Sequence, residues 1–299
     1  MSPRVSIGMP VFNCERTIGL AVRSILNQSL ADWELWILDD GSTDNTVAAA
    51  RSLPDARIHV LSDGAHLGLP RRLNQAVALS HGRYFARMDG DDAAYPERLE
   101  TQVEYLDHHP RVDLVCARVL IFDSDGGIIG TYPFREDHEE ICRHPRGGFY
   151  FPHPTWLGRR EWFREHPYDP ANARSEDQCL LLSAFRTSRF HGLPKILLGY
   201  RQEGLSLTKI LKGRMSYSAA LIRETLANGH WGLALGVAEQ VVKGIAECIA
   251  IGSGLDYRIL RHRALPVSRL EAAAWKGIWA DLNRAQGDPG EEAPERRRR

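Results

Sequence analysis

The sequence predicts an α/β protein built on a mainly parallel sheet with helices on both faces. Three observations predict it. Short apolar runs and amphipathic stretches alternate through the first half of the chain, as they do where parallel strands are buried on both sides. Two of the runs end abruptly in acid and glycine, at Asp39-Asp40-Gly41 and at Asp89-Gly90-Asp91-Asp92. Polar side chains therefore collect at the rim of the sheet, where open α/β folds bind ligands. Finally, 43% hydrophobic and 25% charged residues in a chain of 299 suit one large core with a smaller appendage.

Residues 5–9 are a short apolar run stopped by Pro10, the first strand. Asn13 is then an N-cap for a helix over 15–28, with Ile18, Ala21, Val22, Ile25 and Leu26 on one face. Residues 33–38 form a second strand. Asp39 sits at its tip, placed to accept the N–H of a nucleotide base, and Ser42, Thr43 or Asp44 caps a helix through Ala50. A third strand covers 57–61 and a helix 68–80, with Leu69, Leu73, Ala76 and Val77 inward. Arg71 and Arg72 fall in its first turn, where the helix dipole disfavours cations. They read either as two solvated side chains or as the sign of a bound anion.

The strand that begins at Arg83 runs into Asp89-Gly90-Asp91-Asp92. Gly90 lets the backbone turn sharply and bring the carboxylates of Asp89 and Asp91 to one point. Crowded carboxylates repel, which is relieved if a hard divalent cation, Mg²⁺ or Mn²⁺, sits between them. The competing reading is a solvated acidic turn before a helix over 96–108, which Pro96 and Glu97 open. Strands at 112–122 and 128–132 follow, joined by the turn Asp123-Ser124-Asp125-Gly126-Gly127.

The middle of the chain is less regular. His153 lies in a rigid turn, Phe151-Pro152-His153-Pro154-Thr155. Ser175-Glu176-Asp177-Gln178 leads into an apolar helix over 179–185, and both acids favour its positive end, so capping competes with any chemical role. Helices follow over 214–227 and 231–251. The second carries Leu233, Leu235, Val237, Val241, Val242, Ile245 and Ile249 beside Glu239, Lys243 and Glu247. It suits a membrane surface, a lid or a dimer contact equally. Residues 257–263 mix basic and apolar side chains, and 270–282 form a helix with Trp275 and Trp279 one turn apart; basic residues near tryptophans suit an anionic lipid surface, and packing onto the sheet domain is the alternative. The expected division is 1–208 as one domain, 209–284 as a helical region and 285–299 as a disordered tail rich in glycine, proline and charge.

The formal net charge of zero gives no field to attract nucleic acid. Five scattered cysteines have no metal-ligand spacing and suit reduced thiols in a cytoplasmic setting. No run is long and apolar enough to span a membrane, and the first strand leaves no room for a signal peptide. The loop after that strand lacks the glycine fingerprint of a dinucleotide site, which argues against a dehydrogenase.

Four motifs now stand in order: Pro10-Val11-Phe12-Asn13, Asp39-Asp40-Gly41-Ser42-Thr43-Asp44, Asp89-Gly90-Asp91-Asp92 and Glu176-Asp177. With Leu73-Asn74, Pro96-Glu97-Arg98-Leu99, His153-Pro154-Thr155 and Gly199-Tyr200-Arg201, they resemble the bacterial family 2 glycosyltransferases of GT-A fold, over residues 5–208. Arg87-Met88 looks most like the members that build exopolysaccharide, capsule or O-chains. The resemblance implies that Pro10, Phe12 and Asn13 line a nucleotide pocket and that Asp39 binds the base, usually uracil. It implies that Asp89, Gly90 and Asp91 hold the donor diphosphate through Mn²⁺ or Mg²⁺. Asp177 would be the catalytic base and Glu176 would shape the acceptor site. Transfer would invert the anomeric carbon. The acceptor would be a glycan, or a lipid-linked glycan, met in the cytoplasm or peripherally on the inner face of the cell membrane. After Tyr200-Arg201 many relatives carry a histidine where this chain has Glu203, which leaves that loop without an assigned role. The reading from another class is a nucleotide-sugar-binding sensor or assembly subunit without turnover.

Overall fold

The computed structural model describes residues 2–202, 204, 206–253 and 264–284. Glu203, the segment 257–263 and the tail 285–299 lie outside the described residues. Strands β1 (Val5–Val11), β2 (Trp33–Asp39), β3 (Ile58–Ser62) and β4 (Tyr84–Arg87) are parallel and lie in the order β3-β2-β1-β4. The chain steps outward from β1 to β3 and then returns to place β4 on the other side of β1. That reversal opens a crevice at the strand tips, the usual ligand site of such sheets. Beyond β4 the sheet is mixed. It continues through β8 (Leu157–Arg159), β6 (Leu114–Phe122), β9 (Phe190–Arg201) and the short edge strand β5 (Ala93–Ala94). Here β6 and β9 are parallel, whereas β4–β8, β6–β8 and β5–β9 are antiparallel, as is β7 (Ile128–Thr131) against β6.

Side-chain alternation along the strands sorts the core into two layers. Tyr84 and Ala86 join Ile7, Met9, Leu35 and Ile37 beneath α1 (Ile18–Leu26) and α4 (Arg98–His108). Phe85 points the other way, into a layer with Leu73 and Val77 of α3 (Leu69–Leu79), Phe163 of α6 (Arg160–Glu165) and Leu181 of α7 (Glu176–Ala184). The helices α2 (Thr46–Arg51) and α5 (His138–Ile141) are short connections. Two long helices, α8 (Leu207–Asn228) and α9 (Leu235–Gly252), pack on each other, and α10 (Arg269–Arg284) crosses the sheet.

Several local expectations change. β1 does not stop at Pro10 but runs two residues further. Gly8 faces β4, since its carbonyl accepts the Met88 N–H at 3.1 Å, so the nitrogen of Pro10 faces the same side just beyond the last residue that β4 pairs. No ladder bond is lost there. Asn13 is not a helix cap: α1 begins at Ile18 after Thr17, and Asn13 sits at φ 52° with its side-chain oxygen accepting the Thr43 N–H at 2.9 Å. α2 likewise starts after Asn45, with Asp44 accepting the Thr46 N–H. Arg72 is not solvated. It is fully buried, and its anions are the protein's own: Nε donates to Asp40 at 3.1 Å and Nη2 to Asp63 at 2.7 Å. β8, α6 and β9 have no counterpart in the sequence reading. β9 hides because Gly192, Pro194 and exposed Lys195 interrupt its apolar pattern, and its register against β6 shifts there.

Trp275 and Trp279 pack onto the sheet domain. Trp275 is fully buried, with its ring 4.6 Å from that of Phe122 and its indole N–H donating to the Gly126 carbonyl at 2.9 Å. Gly199 makes room for it, since a Cβ there would lie 2.3 Å from the indole. Replacing Trp275 with alanine is expected to cost about 3–5 kcal/mol, as for other buried aromatic side chains cut to alanine. Urea unfolding measures this; unchanged stability would show that α10 is not part of the core.

Candidate active site

The acidic motif leaves the tip of β4 and is organised by a cation. Arg87, the last residue of the strand, is buried, and Nη2 meets Asp89 Oδ1 at 2.5 Å. One carboxylate oxygen from each of Asp89, Asp91 and Asp92 lies within 4.8 Å of the others. Gly90 is needed at the turn, because a Cβ would lie 2.7 Å from Val11 Cγ1, and its carbonyl accepts the Thr17 hydroxyl at 2.9 Å. Asp92 is fully buried. Oδ1 accepts the Arg201 N–H at 2.9 Å, while Oδ2 has no hydrogen-bond partner among the described residues, and neither have Nε and Nη1 of Arg87.

These contacts set the proton affinities. Burial, reinforced by Asp89, pushes the Asp91 carboxyl up to about 6 although Arg87 opposes the rise. Burial and then its two neighbours raise Asp92 as well. For Arg87, burial disfavours the charge, yet Asp89 and Asp92 outweigh it and the guanidinium holds its proton more tightly than usual. A second buried cation braces the strand end: Arg98 donates to the Arg87 carbonyl at 2.6 Å, and burial lowers it only to about 9. Three hard oxygen donors, one of them unpartnered, fit a divalent cation.

A cavity of about 930 Å³ opens beside the motif. Phe12, Asn13, Asp44 and Asp91 line it, with Arg201 from the end of β9 and Trp279 from α10. Phe12 is half exposed there, with its ring 4.8 Å from that of His66. Pro10 and Asp39 are buried behind the rim. Asp39 accepts the Ser42 N–H at 3.1 Å and the Ser62 hydroxyl at 2.8 Å, tying the tips of β2 and β3 together. Two of its roughly four acceptor positions remain.

Glu176 and Asp177 open α7, both in its first turn, where the positive end of the helix favours them. Ser175 holds the cap position without a side-chain cap bond, and Asp177 accepts from the Gln178 amide at 3.1 Å. Asp177 lines a second cavity of about 290 Å³, walled by Tyr132, Phe149, Tyr150, Phe151 and Tyr200. Tyr200 also lines the large cavity, so it borders both. Glu176 points inward, its Oε1 3.8 Å from His153 Nδ1, and His153 Nε2 lies 2.9 Å from the Tyr168 hydroxyl. Burial keeps His153 neutral, well below its ordinary range, with Arg87 adding to the effect. The sequence reading named Tyr200 and Arg87 only within the motifs Gly199-Tyr200-Arg201 and Arg87-Met88, and gave neither residue a role in the site. A lone arginine after a strand carries no signal unless its burial is known.

Burial, with Asp177 beside it, pushes the Glu176 carboxyl up to about 7 from 4.5. Between those values the folded protein holds a proton there that the unfolded chain has lost, so this group's stabilisation is present at low pH and disappears as pH rises through about 7. Glu176→Gln keeps the shape and removes the titration. Its melting temperature relative to the parent is expected to be higher at pH 8 than at pH 5; a difference independent of pH would overturn the assignment.

The sequence model described as glycosyl transferase family 2 matches residues 6–166. The putative glycosyltransferase EpsE of Bacillus subtilis (strain 168) is 39% identical over 127 residues, 42% of this chain and 46% of its own, so the match spans less than half of that relative. Among solved structures, S. aureus TarS 1-349 in complex with UDP-GlcNAc superposes with a TM-score of 0.59 at 17% identity, covering 95% of this chain and 81% of that one. The mannosyltransferase PcManGT from Pyrobaculum calidifontis, in complex with GDP-Man and Mn²⁺, superposes with a TM-score of 0.56 at 16% identity, covering 95% and 88%. These likenesses establish the GT-A fold, and the match over more than half of the chain establishes the family: this chain belongs to glycosyltransferase family 2.

Proposed function

We propose that the protein is a metal-dependent, inverting hexosyltransferase that moves a sugar from a nucleotide-diphosphate donor, with UDP as the nucleotide, to a hydroxyl of a lipid-linked bacterial surface glycan. The observation that carries this reading is that Tyr200 lines two cavities, one bordered by Asp91 and the other by Asp177. A donor and an acceptor need this arrangement, with reacting atoms brought together and the base on the far side from the leaving group. The complexes of TarS with UDP-GlcNAc and of PcManGT with GDP-Man and Mn²⁺ support a nucleotide-sugar donor and a metal. Five free cysteines suit a cytoplasmic setting.

Phe12 and Asn13 border the nucleotide end of the large cavity, and Asp39 braces the loop behind it. Asp91, with Asp89 and Asp92, holds the divalent cation, which when bound neutralises the diphosphate as a Lewis acid. Asp177 accepts the proton of the acceptor hydroxyl as its oxygen forms a bond to the anomeric carbon. The bond from that carbon to the diphosphate oxygen breaks, and the nucleoside diphosphate leaves. Glu176, protonated part of the time near neutral pH, adds little like charge to the base and lets Asp177 remain the acceptor.

Two outcomes test the assignment. Asp177→Asn keeps size and polarity but cannot take a proton. Transfer is expected to fall by about 10²–10⁴-fold with donor affinity little changed. Near-normal transfer by the folded variant would sink the mechanism. Asp91→Ala removes one carboxylate from a repelling cluster, so the fold survives while Mn²⁺-dependent donor binding is lost. Calorimetry showing unchanged Mn²⁺ and nucleotide affinity would overturn the metal site.

A further inference from the structure

α9 is built inside out. The side that packs on α8 and on the 145–147 turn carries Gln240 and Glu247, both buried, and Gly236 and Gly244. Arg214 of α8 reaches into this seam, giving Nε and Nη2 to Glu247 at 2.6 and 2.7 Å and Nη1 to Gln240 at 2.7 Å. Lys243 is also turned inward, onto Glu239 at 2.7 Å and the Gly147 carbonyl at 3.2 Å. The outward side is Leu235, Ala238, Val241, Val242, Ile245, Ala246 and Ile249, all exposed, with Ile249 at 67%. A helix between protein and water normally shows the reverse arrangement.

The face continues onto α8. Met215, Ile222 and Leu226 are exposed at helical spacing, and Trp231, in the connection between the helices, is 71% exposed. The exposed residues of α8 and α9 include the cations Lys209, Lys212 and Arg223 and no acid. Lys209 and Lys212 form no ion pair among the described residues, whereas Arg223 is shared with Asp169 at 3.7 Å. None of the described helices is long and apolar enough to cross a membrane.

We propose that the outer face of the α8–α9 pair docks on the surface of an anionic lipid bilayer. Apolar side chains from two helices enter the headgroup boundary, an exposed tryptophan sits at that level, and flanking lysines meet lipid phosphates. Charge complementarity selects this occupant. A second copy of the chain would set Lys209 and Lys212 against the same cations of its partner, since no exposed acid on these helices could answer them. The inference deepens the reading of a lipid-linked acceptor, because Lys209 also lines the large cavity and a third one of about 400 Å³ beside α7. A face docked on lipid holds both next to the membrane surface.

The test is co-sedimentation of the full chain with vesicles of phosphatidylcholine alone or with 30% phosphatidylglycerol, about 30 mol%, at low salt. Light scattering and donor hydrolysis are measured in parallel. The parent is expected to sediment with the anionic vesicles and to be released by high salt. The Val242→Asp, Ile245→Asp double variant is expected to bind at least about tenfold more weakly with unchanged donor hydrolysis. Lys212→Glu is expected to weaken binding to anionic vesicles alone. Parent protein that stays in the supernatant would overturn the proposal, as would a dimer in light scattering that the double variant splits. Vesicle binding is read separately from turnover, so loss of the transferase reading in the Asp177→Asn experiment leaves this outcome distinguishable.

Discussion

A buried guanidinium holds the site together. Arg87 ends β4 inside the protein with Asp89 against it, and Asp92 and Glu176 are near enough to shape its charge state. Without a cation there, three carboxylates at one strand tip and a fourth on α7 would share a poorly hydrated volume, and a buried, unpaired charge is among the costliest features a fold can carry. One arginine does not balance them all. The remainder appears as protons held too tightly on Asp91 and Glu176, and as unpartnered atoms on Asp92 and on Arg87 itself. The cluster is therefore satisfied only in part, as expected where a charged ligand completes the electrostatics.

The sheet explains why these acids face a cavity. The reversal of strand order between β1 and β4 leaves the ends of the two strands diverging, with Phe12 and Asn13 on one lip and the acidic turn on the other. Arg98 fixes the carbonyl of Arg87 from beneath, and Asp40 with fully buried Arg72 fixes the loop after β2. The Asp40–Arg72 ion pair and the Arg98 hydrogen bond are both far more enclosed than surface ion pairs, which contribute little. They stiffen two loops that have no other core of their own.

What was legible in the sequence follows from what periodicity and acidity can signal. β1, β2, β3 and β4 are short runs in which apolar residues predominate, and Asp89-Gly90-Asp91-Asp92 declares a turn and a charge problem in four residues. Arg72 and Arg98 were opaque because a buried arginine looks like a solvated one until its anion is found 9 to 32 residues away, as for Arg72, or its carbonyl partner is found on another element. β9 was opaque because glycine and proline punctuate it. Trp275 could be read for membrane or for core, and only the hollow at Gly199 decides the matter. α9 was ambiguous for a different reason: its apolar and charged residues show that it has two faces, but not which of them the protein covers.

The division of the chain also separates two kinds of information. The family match ends at 166, and it contains Phe12, Asn13 and the acidic turn, which border the large cavity. Asp177, Tyr200, Lys209 and Trp279 come after it: Lys209 and Trp279 line the large cavity, Asp177 the second, and Tyr200 both. A diphosphate and a metal demand fixed chemistry, so the residues that hold them form short motifs that a reader can recognise. The cavity beside Asp177 depends on shape instead. It is walled by Tyr132, Phe149, Tyr150 and Phe151, residues that supply area and few directed hydrogen bonds, and that look like ordinary core until they are found around a carboxylate. The helices α8 and α10 add Lys209, Trp279 and Asn283 to the wall of the large cavity from beyond residue 208, so the helical region helps to shape that cavity as well as packing on the sheet.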